Sequence, residues 1–176
     1  MKYIILVLIL FGFSACGYTP SSKFSRQVTG EKISTSVNIS ALDPENTVII
    51  KDAVDSAIID VFHASLTSRV LSQTHLDLSI APPGYTPIVF DENGFIIGYR
   101  MTVNLNIIRY HDGLSKNYSA RGTHDFSVAP NAIVTDFERF EAIRFSAAKA
   151  IRSFVAQVSA EGARAEKESL KKSAKE

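Results

Sequence analysis

The chain has 176 residues, of which 45% are hydrophobic and 21% charged. That balance fits one globular domain and disfavours disordered, collagen-like and coiled-coil classes. Lysine and arginine number 19 against 18 acidic residues, so the strong positive field of a general nucleic-acid binder is absent and no nucleic-acid partner is expected. The single cysteine, Cys16, excludes an internal disulfide framework and any cysteine-rich zinc module.

Lys2 precedes an unbroken apolar run from Tyr3 to Phe11, and Gly12-Phe13-Ser14-Ala15 supplies small residues just before Cys16. This is the pattern of an export signal over residues 1–15. A membrane-spanning helix needs about 20 apolar residues, and this run meets Ser14, then Pro20, Ser21 and Ser22, too soon to span. Ser14-Ala15-Cys16-Gly17 resembles a bacterial lipobox, in which cleavage before the cysteine is followed by lipid attachment to its sulfur and its new amino group. Two or more acyl chains anchor a protein stably where one does not. Residues 16–30 then read as a lipidated N-terminus and tether, rich in Pro, Ser and Thr. Loss of Lys2 with the leader leaves equal numbers of basic and acidic residues, 18 of each.

Ile33 to Ser40 alternates strictly, with Ile33, Thr35, Val37 and Ile39 on one face and Ser34, Ser36, Asn38 and Ser40 on the other. That is a strand with one wet face. Asp43-Pro44 offers a helix cap and a first-turn proline, and Ile50, Val54, Ala57, Ile58, Val61, Phe62 and Leu66 follow at helical spacing. A first helix is expected from Pro44 to Val70. His75 to Ile80 alternates again, Pro82-Pro83-Gly84 breaks it, and Ile88-Val89-Phe90 resumes an extended path before a turn at Asp91-Glu92-Asn93-Gly94.

The clearest strand puts Ile97, Tyr99, Met101, Val103, Leu105 and Ile107 on one face and Gly98, Arg100, Thr102, Asn104 and Asn106 on the other. His111-Asp112-Gly113 is a hairpin signal. Asn117 to Val128 returns with Tyr118, Ala120, Gly122, His124 and Phe126 opposite Ser119, Arg121, Thr123 and Asp125. Thr135 and Glu138 fit a capping box, opening a helix through Phe137, Phe140, Ile143, Ala147, Ile151, Phe154 and Val158. Residues 161–176 are highly charged with Leu170 as their only large apolar side chain, and are expected to be a frayed helix end or disordered.

The order strand, helix, three strands, helix implies an α+β two-layer sandwich over residues 31–160, with two amphipathic helices on one face of a four-stranded, mainly antiparallel sheet. The opposite sheet face is polar but carries few charges. Small hydroxyl and amide side chains with a few arginines suit a polar partner surface, sugars or phosphates, although Ser and Thr are also ordinary on antiparallel sheets.

The lipobox Cys16 followed by Gly17-Tyr18, the long Tyr99-Arg100-Met101-Thr102-Val103-Asn104-Leu105 strand, the Asp-Gly turn, the strand containing Arg121 and the closing amphipathic helix together resemble the LptE family of lipopolysaccharide-assembly lipoproteins. The resemblance spans nearly the whole mature chain. It implies a lipoprotein on the periplasmic side of the outer membrane that plugs the β-barrel LptD and assists lipopolysaccharide delivery. Gly17 agrees with that destination, because the usual inner-membrane retention signal is aspartate at that place. Cys16 is the implied lipid anchor, and Arg100, Arg121, Arg109 and Lys116 are the candidate contacts to lipopolysaccharide or the partner. Arginine's planar fork suits phosphate.

No nucleophile elbow, P-loop, dinucleotide-binding glycine pattern or His-Glu-x-x-His is present. The histidines, His63, His75, His111 and His124, are scattered singly, and His124 and Asp125, being neighbours on a strand, point to opposite faces. A non-enzyme without cofactors is expected. Two other readings stay open: a lipoprotein activator of a peptidoglycan synthase, or another tethered periplasmic interaction module, and an exported hydrolase.

Overall fold

The computed structural model describes residues 30–39, 47–62, 66–130 and 132–173. The export signal, Cys16, the tether and the Asp43-Pro44 cap lie outside them. Strand β1 (Ile33–Ile39) leads into helix α1 (Thr47–Phe62), followed by a short 3-10 turn at Arg69–Leu71, β2 (Thr74–Ile80), β3 (Gly84–Phe90), β4 (Ile96–His111), β5 (Leu114–Ser127) and helix α2 (Asp136–Ser173). β1 pairs with β2 in parallel, as a strand-helix-strand crossover allows. The other pairings are antiparallel.

β4 organises the sheet. Its 16 residues extend roughly 50 Å. β5 pairs along one edge for nearly its whole length, from Gly98 opposite Ser127 to His111 opposite Leu114. The other edge is shared: β2 occupies the half around Leu105 to His111, and β3 the half from Ile96 to Thr102. β2 and β3 are thus two pieces of one line. Pro82 and Pro83 interrupt it because neither has an N–H to give to the ladder. The sheet therefore has five strands rather than four, the fifth being the stretch that resumes after the proline pair.

Both helices cover the same face. Leu76, Leu78, Met101, Val103, Leu105 and Ile107 of the sheet are buried against Ile50, Val54, Ala57 and Ile58 of α1 and Ile143, Ala147, Ile151, Phe154 and Val158 of α2. The helical and alternating periods read from the chain thus meet in one core, as a two-layer α+β sandwich requires. Arg144 ties the helices together, donating to Glu141 on its own helix and to Asp60 of α1, both at 2.8 Å.

The end of the first helix and the first turn of the last depart from expectation. In place of helix up to Val70, Leu66 forms a parallel bridge with Ile33, and Thr67 N–H donates to the Ile33 carbonyl at 2.8 Å, so the chain has already turned back to the sheet. Phe137 is exposed although its spacing fits the apolar stripe, because the first turn of α2 lies outside the core. The capping box forms: Thr135 N–H donates to the Glu138 carboxylate at 2.8 Å, and Glu138 N–H donates back to the Thr135 hydroxyl at 3.2 Å. At the other end α2 runs on through the charged segment to Ser173. Ala, Glu, Lys and Arg are strong helix formers, and extending an existing helix needs no new nucleus.

The β4–β5 connection is the two-residue turn that Asp-Gly announces. Asp112 and Gly113 both have positive φ, 49° and 73°, the signature of a type I′ turn matched to strand twist. No helix among the described residues is long and apolar enough to cross a membrane.

Candidate functional site: the open polar face of the sheet

With the helices on one face, even-numbered residues of β1 and β4 and odd-numbered residues of β2 and β5 share the other. Arg100 and Arg121 lie there, as alternation requires. Arg100 faces Asp125 across the β4–β5 ladder, and Arg121 faces Asn104. Four strand positions separate the two arginines, roughly 13 Å along the strands, so their backbones stand well apart on the open face.

Their electrostatic situations differ. Arg100 grips Asp125 with both arms of its guanidinium, Nε to Oδ1 at 2.7 Å and Nη2 to Oδ2 at 2.8 Å. That bond holds the Asp125 carboxyl below its ordinary range and raises Arg100. Both side chains remain about half exposed, where screening makes such a pair worth little. Arg121 is exposed and has no ion-pair partner among the described residues. It is the more available cation of the two.

Arg109 and Lys116 are elsewhere. Arg109 is odd-numbered on β4 and Lys116 is its cross-strand partner on β5, so both lie on the face that the helices cover. They meet Glu161 of α2 at 3.4 Å and 2.7 Å, and the Tyr118 hydroxyl donates to the same carboxylate at 2.7 Å. Burial pushes Glu161 up, but its bonds from Lys116 and Tyr118 and the two positive charges outweigh that and leave it below its ordinary value. Tyr118 is pushed well up, first by burial and then by its bond to that carboxylate. The cluster fastens α2 to the sheet, and it belongs to a different surface from Arg100 and Arg121.

The parallel pairing of β1 with β2 builds a hydrogen-bonded group that no motif announces. Ser34 lies opposite His75 and Ser36 opposite Asp77. Ser34 Oγ is 2.8 Å from His75 Nδ1, and Ser36 Oγ is 3.2 Å from Nε2. Ser36 also donates to the Asp77 carboxylate at 3.0 Å, and Asn38 donates to the same oxygen at 2.7 Å. With its proton committed to Asp77, the Ser36 hydroxyl accepts from His75. Activation of a serine nucleophile needs the opposite direction. Burial first, and then the charge of Arg69, lower the His75 pKa, while Asp77 opposes them. Only the strand pairing could have exposed this group, since Ser34 and His75 are 41 positions apart.

His124 and Asp125 do point to opposite faces: the His124 ring lies 4.9 Å from Phe145 of α2, and Asp125 holds Arg100. Among the described residues no group of three or more His, Cys, Asp or Glu side chains could hold a metal ion.

No family model matches the chain, and no curated protein matches it. Among solved structures, rare lipoprotein B from Shewanella oneidensis is 11% identical, with a TM-score of 0.41 over 78% of this chain and 98% of that one. A minor lipoprotein from Acinetobacter baumannii is 8% identical, with a TM-score of 0.42 over 74% and 92%. Lipoprotein B from Nitrosomonas europaea is 14% identical, with a TM-score of 0.43 over 76% and 84%. Likeness at this level carries no functional argument.

Proposed function

We propose that this chain is a lipid-anchored lipoprotein on the periplasmic side of the outer membrane, held there through Cys16, that seats its open sheet face against an LptD-type β-barrel and assists lipopolysaccharide assembly. The role is non-catalytic and needs no cofactor. The observation that carries the reading is the separation of the two sheet faces. One face is sealed by helices, while the other leaves Asn104, Asn106, Asn117, Ser119 and Arg121 exposed, an extended polar surface with little charge. Such a surface matches the polar wall of a barrel lumen or the hydroxyls and phosphates of a saccharide, and a free guanidinium on it adds a phosphate contact.

The test is a tagged full-length chain carrying Arg100→Ala and Arg121→Ala together, captured from solubilised outer membrane. The doubly substituted chain stays folded, recovers less barrel protein and less lipopolysaccharide than the parent, and leaves cells more permeable to large antibiotics. Equal recovery of both partners at equal expression would make the two arginines ordinary solvated charges. Capture of a peptidoglycan synthase in place of a barrel would replace this reading with the synthase-activator one.

A further inference from the structure

At the end of the sheet where β4 turns into β5, a pocket of about 310 Å³ opens, lined by Arg69, Ser72, Gln73, His75, Tyr110 and His111 among others. Its volume is at the small end for ligand sites and suits a group of about one sugar ring. The Arg69 guanidinium is exposed there and has no hydrogen-bond or ion-pair partner among the described residues. The Tyr110 ring is 41% exposed and stacks on His75 with ring centres 6.1 Å apart.

The pocket floor is built around His75, which is 8% exposed. Its hydrogen bonds have a direction. The Ser72 hydroxyl donates to the Arg69 carbonyl at 2.9 Å, so its oxygen accepts from Ser34 at 2.8 Å. The Ser34 proton is thereby used, and Ser34 Oγ accepts from His75 Nδ1. On the other side the Ser36 proton goes to Asp77, so Ser36 Oγ accepts from His75 Nε2. A hydroxyl has one proton, and only a protonated imidazole donates from both nitrogens. The complete network therefore calls for a cationic ring, while burial and Arg69 oppose that charge. A buried cation is costly unless a counter-charge is near. Asp77 stands beyond Ser36, and the Asp112 carboxylate on the rim of the pocket lies against His111 Nε2 at 3.3 Å, so among the described residues neither Arg69 nor His75 is in hydrogen-bond or ion-pair contact with a carboxylate on the open side.

We propose that this pocket binds an anionic group, a phosphate, sulfate or carboxylate carried on a sugar-sized ligand, with Arg69 holding the anion, Tyr110 supporting the ligand's ring and His75 taking up a proton from solvent on binding. The inference goes beyond the barrel-docking reading and does not depend on it. Among the described residues, the charged or titratable groups that line the pocket or act on His75 are Arg69 on the 3-10 turn, Asp77 on β2, Tyr110 and His111 on β4 and Asp112 in the turn, with Glu31 and Lys32 just before β1 bonded through their backbone to Gln73. β1 contributes only Ser34, Ser36 and Asn38. His111 Nδ1 lies 2.7 Å from the Thr74 hydroxyl and 3.2 Å from the Gln73 carbonyl, and its Nε2 is 3.3 Å from the Asp112 carboxylate.

The experiment uses the full-length chain in detergent with sulfate as the probe, because the charge of sulfate is constant between about pH 5.5 and 7.5, the range in which histidine titrates. Sulfate should bind about tenfold more tightly at the lower pH, and the His75 ring nitrogens, followed by NMR, should gain a proton when sulfate is added. Arg69→Gln should abolish binding. His75→Gln should leave affinity independent of pH, and His111→Gln should leave the pH dependence in place. Glucose 6-phosphate should bind more tightly than sulfate. Wild-type affinity that does not change with pH, a His75 ring unaffected by sulfate, or normal binding by Arg69→Gln would overturn the proposal. Equal affinity for sulfate and the sugar phosphate would overturn the sugar-sized ligand.

Discussion

Gly122 on β5 lies directly beneath Ser146 on α2. A Cβ on Gly122 would overlap the Ser146 carbonyl oxygen and come within 2.5 Å of the Ala150 amide nitrogen. Both obstacles are backbone, so no rotamer change relieves them. Ser146 is itself fully buried and donates from its hydroxyl to the Met101 carbonyl at 3.3 Å. The long helix is thus drawn onto the β4–β5 ribbon by a residue with no side chain, and Ala147, Ala148 and Ala150 keep the contact close. Gly122→Val should push α2 off the sheet and destabilise the domain by about 1–3 kcal/mol, the usual cost of overpacking. Thermal unfolding checks it, and an unchanged midpoint would mean that the helix stands farther off.

Phe154 is fully buried and meets Tyr118 edge to face with ring centres 5.1 Å apart. Phe154→Ala should cost about 3–5 kcal/mol through lost burial and the cavity left behind. Lys171, exposed near the far end of α2, should be replaceable by alanine almost without cost. Denaturant titration of the two variants compares them directly, and similar midpoints would contradict the core described above.

Glu161 should make part of the stability pH-dependent. Its folded-state pKa is below the ordinary 4.5, so its contribution is complete above that value and fades as the pH falls through the lowered one. Glu161→Gln should cost about 1–3 kcal/mol at neutral pH by leaving Arg109 and Lys116 without their carboxylate. The same substitution should flatten the acid limb of the stability curve, measured by urea unfolding at a series of pH values. An acid limb as steep as that of the parent would show that other carboxylates set it.

Much of this arrangement can be read before any coordinates, and the reasons are local. Met101, Val103, Leu105 and Ile107 alternate because one face of β4 is covered and the other is open. The Thr135 and Glu138 cap and the Asp112-Gly113 turn depend on residues close in the chain. What escaped depends on partners far apart. The period of β4 continues through Arg109, so the same alternation that places Arg100 on the open face puts Arg109 under α2, where Glu161 awaits it. The Ser34 to His75 contact needs the parallel register of β1 on β2, which no turn residue specifies. β3 carries Pro87 and has every residue exposed, so its apolar residues show no alternation between buried and open faces.

The anchor makes its own prediction. Because the only cysteine follows Ser14-Ala15 and precedes a tether, Cys16→Ser should abolish fatty-acid incorporation and alter processing of the signal. Metabolic labelling with a radioactive fatty acid reads this out, and equal labelling of parent and variant would remove the lipoprotein claim.

The measurement closest to the central claim places a photo-crosslinking amino acid at Asn104, in the middle of the open face, and in a second chain at Arg152, exposed on α2. Irradiation of living cells should join the Asn104 chain to an outer-membrane β-barrel protein and leave the Arg152 chain without that adduct. A barrel adduct from Arg152 alone, or a periplasmic synthase as the sole adduct from Asn104, would contradict docking through the open sheet face.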